Sequence, residues 1–344
     1  MPRQTFQYHP IIAYTFIPGL KARIPHSEGG GYLIRVNDLG FRCDHTFSLE
    51  KQPGIKRILL FGDSFTAGDG VSNGNRFGDL LETEIPNLEV YNFGLPGTGT
   101  DQQYLIYKEH AQNIQHDLII LSVFVENIHR VAAHYRIFIN ENGNHVCYAK
   151  PYFELIGGRL QLRNVPPEKE PLSMDEILKI EDNAIDYGSP LKKIATWFEK
   201  WGIKNFDRSI NKVLDHWGLK NTILKILRIQ PLPEYNDPDN PAWLTMKAIL
   251  EEWIPNQTKP VLLVLIPHSY YIEGIADPKH YQTRFRELGK LVNCKVYDLL
   301  PDLQQISVKN RRELNYRDGH FNNRGHVVVA NLLKPILIKL LDTK

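Results

Sequence analysis

Cysteine is scarce in this 344-residue sequence, which contains only three, Cys43, Cys147 and Cys294. They lie far apart, include no C-x-x-C pair and are odd in number. The sequence therefore predicts neither a disulfide framework nor a cysteine-based zinc site. Unpaired cysteines fit a reducing compartment, and we expect a cytoplasmic protein.

The sequence also lacks a marked excess of charge and a long apolar run. Its 41 basic and 39 acidic residues include no long block of one sign, so nucleic acid is not an expected partner. The longest apolar stretch, Val327 to Leu341, is interrupted by Asn331, Pro335 and two lysines. It is too short and too polar to span a membrane and predicts a closing amphipathic helix. The N-terminus shows no secretory signal pattern.

Apolar material is sufficient for a large folded core, because 42% of the residues are hydrophobic and 23% are charged. Short β-branched runs predict five strands buried on both faces, as in a parallel sheet. They are Arg57 to Phe61, Leu88 to Phe93, Leu118 to Phe124, Val261 to Ile266, and Lys295 to Leu299. Helices are expected at Arg76 to Glu84 and at Asp101 to Asn113, the latter opened by Asp101 as its cap. This alternation predicts a three-layer α/β/α fold.

Two regions fall outside the alternation, and we expect each to be an addition to a core domain at 51–344. Residues 1–50 predict loops and short strands laid against that domain. A large insertion at about 129–259 follows the third strand. It begins with a predicted hairpin, Tyr152 to Ile156 and Arg159 to Leu162, joined by two glycines.

The second part of the insertion, Ser173 to Ile229, predicts helices. They carry the aromatic residues Trp197, Phe198, Trp201, Phe206 and Trp217. Core packing is the expected role of these side chains, and a lid or acceptor wall is the alternative. The proline-dense stretch Pro231 to Pro241 predicts an exposed connector back to the sheet.

Reacting groups in parallel α/β sheets gather beyond the carboxyl ends of the strands. The first such end carries Gly62-Asp63-Ser64-Phe65-Thr66. A serine at this position can act as a nucleophile if an imidazole removes its proton and a carboxylate orients the imidazole. The alternative is that Asp63 or Ser64 only caps a helix.

A second serine must be weighed, because Gly70-Val71-Ser72-Asn73-Gly74 matches the G-x-S-x-G pattern of another class of hydrolases. That pattern needs a strand directly before it. Ser72 instead follows residues of loop character, so we interpret it as a loop residue.

The imidazole is best supplied by His320, one of 13 histidines. It stands two residues after Asp318 in a short polar loop before the terminal helix, so the carboxylate can orient the ring. His268, at the end of the fourth strand, is the rival base. His326 is expected to pack on the closing helix.

The segments GDSFT at 62–66 and DGHFNNRGH at 318–326 resemble the first and last blocks of the SGNH, or GDSL, hydrolase family. The resemblance covers about 51–127 and 260–344. It implies a flavodoxin-like five-stranded sheet and a catalytic set of Ser64, Asp318 and His320.

The same resemblance implies an oxyanion hole made of the Ser64 amide, the Gly97 amide and the Asn127 side chain. Gly94 is the less favoured glycine. The third block departs from the family pattern Gly-x-Asn-Asp, since Val125 and Ile128 replace its glycine and aspartate.

The expected function is therefore a serine ester hydrolase that removes an acyl group such as acetyl through an acyl-enzyme, with no metal or organic cofactor. The expected substrate is a small-molecule or carbohydrate ester. An O-acyltransferase that uses the same triad is the alternative. A nucleotide- or phosphate-binding protein is a more distant alternative. The glycine-rich turn at 94–100 matches neither of the phosphate-binding patterns G-x-G-x-x-G and G-x-x-x-x-G-K-[ST]. The sequence does not indicate an oligomeric state.

Overall fold

The computed structural model describes residues 5–139, 145–173, 176, 179–180, 185–186 and 230–342. Its strands, in chain order, are β1 Phe6–His9, β2 Ala13–Phe16, β3 Lys21–Ile24, β4 Tyr32–Arg35, β5 Lys56–Gly62, β6 Leu88–Asn92, β7 Leu118–Phe124, β8 Tyr135–Ile139, β9 His145–Ala149, β10 Tyr152–Ile156, β11 Arg159–Arg163, β12 Ile185–Asp186, β13 Val261–Ile266 and β14 Lys295–Asp298.

The α-helices of the described residues are α1 Ser64–Ala67, α2 Phe77–Glu84, α3 Thr100–Ile106, α4 Asn127–Ala132, α5 Pro241–Trp253, α6 Ser269–Ile272, α7 Lys279–Leu291, α8 Leu300–Gln305, α9 Val308–Arg312 and α10 Asn323–Asp342. A π-helical turn, Tyr107–Ala111, continues α3, and a 3-10 turn, Pro233–Tyr235, precedes α5.

The five predicted strands form one parallel sheet. Its order is β14, β13, β7, β5, β6, and every neighbouring pair is parallel. The central strand β7 is buried along its whole length, which explains its nearly continuous apolar sequence. Counted along the chain, the order is 2-1-3-4-5, the flavodoxin-like arrangement. The predicted sheet is confirmed.

Helices cover both faces of this sheet. Leu60 of β5 contacts Gly78 of α2. The next residue, Phe61, points to the other face, where its ring centroid lies 5.2 Å from that of Trp253 in α5. Helix α10 packs on α2, whereas α5 packs on α3 and α4. These contacts confirm the three-layer α/β/α class.

The closing amphipathic helix is α10, which begins at Asn323, earlier than expected. Its buried residues include Val329, Leu333 and Leu337, which are four positions apart and share one face. No helix in the described part of the chain combines the length and apolar character needed to cross a membrane.

The first part of the insertion forms two small sheets. β8 and β9 pair antiparallel, and β12 adds to β8 in parallel. The predicted hairpin is confirmed as β10 and β11, with Ile156 opposite Arg159 across the two-glycine turn. The helices predicted over Ser173 to Ile229, together with their aromatic residues, lie almost wholly outside the described residues.

Two expectations for helix and connector residues are wrong. Helix α3 begins at Thr100 with Gly99 as its cap, and the carboxylate of Asp101 instead accepts a 2.5 Å hydrogen bond from buried Lys150 Nζ. A lysine supplied by the insertion therefore forms a buried ion pair with Asp101, which follows the first residue of α3 and is not its cap.

The second error concerns the stretch Pro231 to Pro241, which is not an exposed connector throughout. Leu232 and Tyr235 are buried, and the Tyr235 hydroxyl donates to Val125 O at 2.8 Å. The stretch is held against the end of β7 because burial of these two side chains adds to the core.

The first fifty residues contain two antiparallel hairpins, β1 with β2 and β3 with β4. After them, Arg42 is fully buried. Its guanidinium donates to Gly68 O and Val71 O at 2.8 Å each, and to Asn73 Oδ1 at 3.0 Å. These bonds fasten the N-terminal segment to the loop that follows the first strand end of the main sheet.

Replacement of Arg42 by Met should lower the free energy of unfolding by about 2 to 4 kcal/mol, because buried acceptors lose a charged donor. Urea denaturation followed by circular dichroism measures the change. The control is Arg163→Met, since Arg163 and its partner Glu154 are 43% and 39% exposed. This control should cost less than about 1 kcal/mol. Equal midpoints for the two variants would contradict the role given to Arg42.

Candidate active site

Ser64 lies where the sequence predicted, directly beyond the carboxyl end of β5. It is the first residue of α1 and is buried. Asp63 caps that helix, since its Oδ1 accepts from Phe65 N at 3.0 Å. The helix-cap interpretation therefore holds for Asp63, which leaves the Ser64 hydroxyl available for another partner.

That partner is His320. Its Nε2 lies 2.8 Å from Ser64 Oγ, although the two residues are 256 positions apart in the chain. On the other side of the ring, Nδ1 lies 3.2 Å from Asp318 Oδ1. Asp318 Oδ1 also accepts the backbone N–H of His320 at 3.0 Å, and Gly319 between them has a positive φ of 95° that lets the loop turn back. The structure thus brings together the three residues expected to form the triad.

Charges around His320 favour its protonated form. Burial alone would lower the pKa of His320, but the carboxylates of Asp318, Asp69 and Asp63 outweigh it and raise that pKa above its ordinary value. Burial likewise opposes ionisation of Asp318, yet its bonds to His320 lower the pKa of this carboxyl group to about 2. Asp318 is therefore an anion at neutral pH and can orient and stabilise the imidazolium.

The rival histidines have other partners. His268 Nδ1 accepts from Tyr270 N at 3.1 Å, and burial lowers the pKa of His268 to about 4. His326 Nδ1 accepts from Phe77 N at 3.1 Å within the packing of α10, as expected of a structural residue. The histidine that is hydrogen-bonded to Ser64 is therefore His320.

Ser72 is a loop residue, as predicted. Its Oγ accepts a 3.0 Å hydrogen bond from Leu33 N of β4. The G-x-S-x-G match therefore marks a contact between the N-terminal segment and a loop, and the hydroxyl has no imidazole partner among the hydrogen bonds of the described residues.

The two candidate glycines after β6, Gly94 and Gly97, differ in whether their backbone N–H already has a hydrogen-bond partner among the described residues. Gly94 N donates to Asn92 Oδ1 at 2.8 Å, so this N–H is already satisfied. Gly97 has a positive φ of 80°, and the space that a side chain would need there is filled by the Arg136 guanidinium. Arg136 Nη1 donates to Gly97 O at 2.6 Å, which fixes the orientation of the adjoining peptide. Gly97 is the better oxyanion candidate, because the Gly94 amide already has a partner.

Asn127 begins α4, three residues after β7 ends, and its side chain is buried. Its Oδ1 accepts from Arg130 Nη1 at 2.8 Å. Its Nδ2 has no hydrogen-bond partner in the part of the chain that the structure describes. Because β5, β6 and β7 are neighbours in the sheet, Ser64, Gly97 and Asn127 all follow the same sheet edge.

Two charged residues at this edge were not predicted from the sequence. Arg130 forms a buried ion pair with Asp63, and Asp69 contributes to the electrostatics of His320. Arg130 follows Asn127 by three residues and so shares its helix face, which is the signal that the sequence offered. Asp69 lies five residues beyond Ser64 and carried no comparable signal.

Comparison with protein families gives one match over part of the chain. Residues 58–152 match the model described as GDSL-like Lipase/Acylhydrolase. This segment includes Ser64, Gly97 and Asn127 and excludes Asp318 and His320. The resemblance inferred from the motifs is thereby confirmed for this part of the chain. No curated protein matches the sequence.

Solved structures give low sequence identities. A lipolytic protein of the G-D-S-L family from Veillonella parvula is 12% identical, with 83% of this chain and 100% of that chain covered and a TM-score of 0.39. A lipase/acylhydrolase from Enterococcus faecalis is 14% identical, with coverage of 84% and 99% and a TM-score of 0.42. An acetyl xylan esterase is 15% identical, with coverage of 82% and 99% and a TM-score of 0.42.

The site geometry predicts how His320 titrates. NMR of protein labelled with ¹⁵N-histidine should give a pKa for His320 above 6.5, and Asp318→Asn should lower it, because a negative charge and an acceptor are removed. His326 is the internal control: burial holds its pKa at about 3, so its ring should stay neutral throughout. An unchanged pKa of His320 in the variant would show that Asp318 does not act on the ring.

Proposed function

We propose that this protein is a serine ester hydrolase that works through an acyl-enzyme on Ser64. The observation that carries the proposal is the 2.8 Å contact between His320 Nε2 and Ser64 Oγ, with Asp318 on the opposite side of the same ring. A hydroxyl, an imidazole and a carboxylate in this order are what nucleophilic catalysis at an ester requires.

In the first half-reaction, Ser64 Oγ attacks the ester carbonyl carbon as His320 Nε2 accepts the hydroxyl proton. The carbonyl oxygen becomes an oxyanion held by the amides of Ser64 and Gly97 and by Asn127 Nδ2. The tetrahedral intermediate then breaks its bond to the alcohol, which leaves with the proton from His320. The products of this half are an acyl-Ser64 ester and a free alcohol.

Water completes the cycle by the same steps. His320 takes a proton from water as the water oxygen attacks the carbonyl carbon of the acyl-enzyme. His320 then returns that proton to Ser64 Oγ as the carboxylic acid leaves. Asp318 stays ionised, since the pKa of its carboxyl group is about 2, and it stabilises the imidazolium in both halves. Each half therefore uses the same base and the same oxyanion donors.

The substrate class that we propose is an O-acylated carbohydrate or a small ester of similar size. Support comes from the insertion at about 129–259, which places Arg136 of β8 beside Gly97, with the Phe138 ring centroid 5.4 Å from its guanidinium carbon. A wall with a planar charged group and an aromatic ring suits a ligand that has both hydroxyl groups and apolar faces. In this proposal residues 51–344 form the hydrolase domain and residues 1–50 an extension packed on it.

Ser64→Ala should abolish turnover of p-nitrophenyl acetate and labelling by a fluorophosphonate, because both reactions need the nucleophilic oxygen. Ser72→Ala is the matched control, since it removes the hydroxyl of the competing motif and should leave labelling intact. Gel fluorescence and absorbance at the nitrophenolate band measure the two outcomes. Undiminished labelling of Ser64→Ala would refute the nucleophile assignment.

The substrate class can be tested by offering the purified protein acetylated sugars and p-nitrophenyl esters of increasing chain length, with and without added acceptor alcohols. We expect acetate release, faster with short acyl chains, and a product ratio that added acceptors do not change. Mass spectrometry identifies the products. Acylated acceptor in excess of free acid would establish a transferase instead, and activity confined to long-chain esters would refute the carbohydrate assignment.

A further inference from the structure

Arg130 has no part in the reaction scheme, yet its guanidinium lies among the residues of the proposed oxyanion hole. Its Nη1 lies 2.6 Å from Asp63 Oδ2, 2.8 Å from Asn127 Oδ1 and 3.2 Å from Thr98 O. The Arg130 side chain is 10% exposed and that of Asp63 is fully buried. One nitrogen thus contacts acceptors that follow three neighbouring strands.

Each of these acceptors is next to, or part of, a proposed oxyanion donor. Asp63 precedes Ser64, Thr98 follows Gly97, and Asn127 is itself the third donor. The carboxylate and the amide oxygen are side-chain acceptors, whereas the third is a backbone carbonyl. The guanidinium therefore joins the three segments that present the donors.

The contact with Asn127 also determines how its amide is oriented. An amide has an accepting oxygen on one side and a donating nitrogen on the other. Because Oδ1 accepts from Arg130, a flipped amide would place two N–H donors against the guanidinium donors. The observed orientation leaves Nδ2 buried and without a partner in the described residues, which is the state expected of a donor reserved for a bound anion.

We propose that Arg130 is a positioning residue that holds the Asn127 amide with Nδ2 directed at the oxyanion that forms during ester cleavage. This inference rests on the proposed function of Ser64. The ion pair with Asp63 keeps the guanidinium in place, because separating the two groups would leave a buried charge without a partner, at a large cost in free energy. Arg130 does not contact the ester itself, and its effect passes through Asn127.

A lysine cannot reproduce the arrangement. The Arg130 Nη1 that contacts all three acceptors is held in the rigid plane of the guanidinium, whereas a lysine ammonium is a point charge with rotatable donors on a flexible stem. Arg130→Lys should keep the charge that Asp63 requires and lose the fixed geometry at Asn127. The variant therefore separates charge compensation from orientation.

The test is a double-mutant cycle with Arg130→Lys and Asn127→Ala, measured as kcat and KM for p-nitrophenyl acetate. Asn127→Ala should lower kcat about a hundredfold, and Arg130→Lys about tenfold or more, with little change in KM. If Arg130 acts through Asn127, the double variant should be no slower than Asn127→Ala alone, within about threefold. Losses that multiply in the double variant would overturn the proposal, as would full activity of Arg130→Lys.

Arg57→Lys is the matched control, because Arg57 is another buried arginine, with its Nε 2.5 Å from Glu89 Oε2 near the opposite end of β5. It should change kcat by less than about twofold, even if its urea midpoint falls. Should Arg130→Lys not fold, the cycle is repeated with the pair Arg130→Met and Asp63→Asn, which removes both charges, and adding Asn127→Ala to this pair should lower kcat by less than about threefold. Wild-type protein that neither hydrolyses esters nor reacts with a fluorophosphonate would overturn the proposed function and the role of Arg130 with it.

Discussion

Parallel alignment of neighbouring strands is the constraint on which the site depends. In the sheet, Gly62 of β5 is opposite Ser122 of β7, so the two strands end at almost the same level. A hydroxyl, a glycine amide and an asparagine amide can then meet at one edge while the strands that precede them stay paired in the sheet. The backbone of the core thereby positions the proposed oxyanion donors, and long flexible loops are not needed to place them. His320 is different, because it arrives on a loop near the end of the chain.

The loop that carries His320 is held by contacts with the N-terminal segment and with the loop after α1. Arg317 N donates to Glu28 Oε1 at 2.5 Å, and the ring of Tyr316 lies 4.1 Å from that of His26, centroid to centroid. The Tyr316 hydroxyl also donates to Gly70 O at 3.1 Å. Together with the Arg42 bonds to the loop after α1, these contacts make the first fifty residues part of the support for His320, the proposed base.

Local sequence patterns predicted the features that depend on neighbouring residues, namely strands, turns and the position of Ser64. Apolar runs gave the strands of the sheet, two adjacent glycines gave the hairpin, and the strand-to-helix turn gave the position of Ser64. Apart from the pair Ser64 and His320, which the two motifs indicated, pairings between distant polar groups were not predictable, because no local pattern marks their partners. Arg130 meets Asp63 across 67 positions, Lys150 meets Asp101 across 49, and Tyr235 meets Val125 across 110. Only the folded chain shows which of these polar groups are buried together.

The departure of the third block from its family pattern has a physical counterpart in these long-range contacts. Val125 and Ile128 stand where the pattern has a glycine and an aspartate, and both are fully buried. They contribute to the core beyond β7, where Val125 O also accepts from Tyr235. With no aspartate at 128, a polar partner for Asn127 must come from elsewhere on α4, and the residue one turn away on the same face is Arg130. Ile128 packs in the core and Arg130 bonds the Asn127 amide, so different residues of one short helix serve apolar packing and amide orientation.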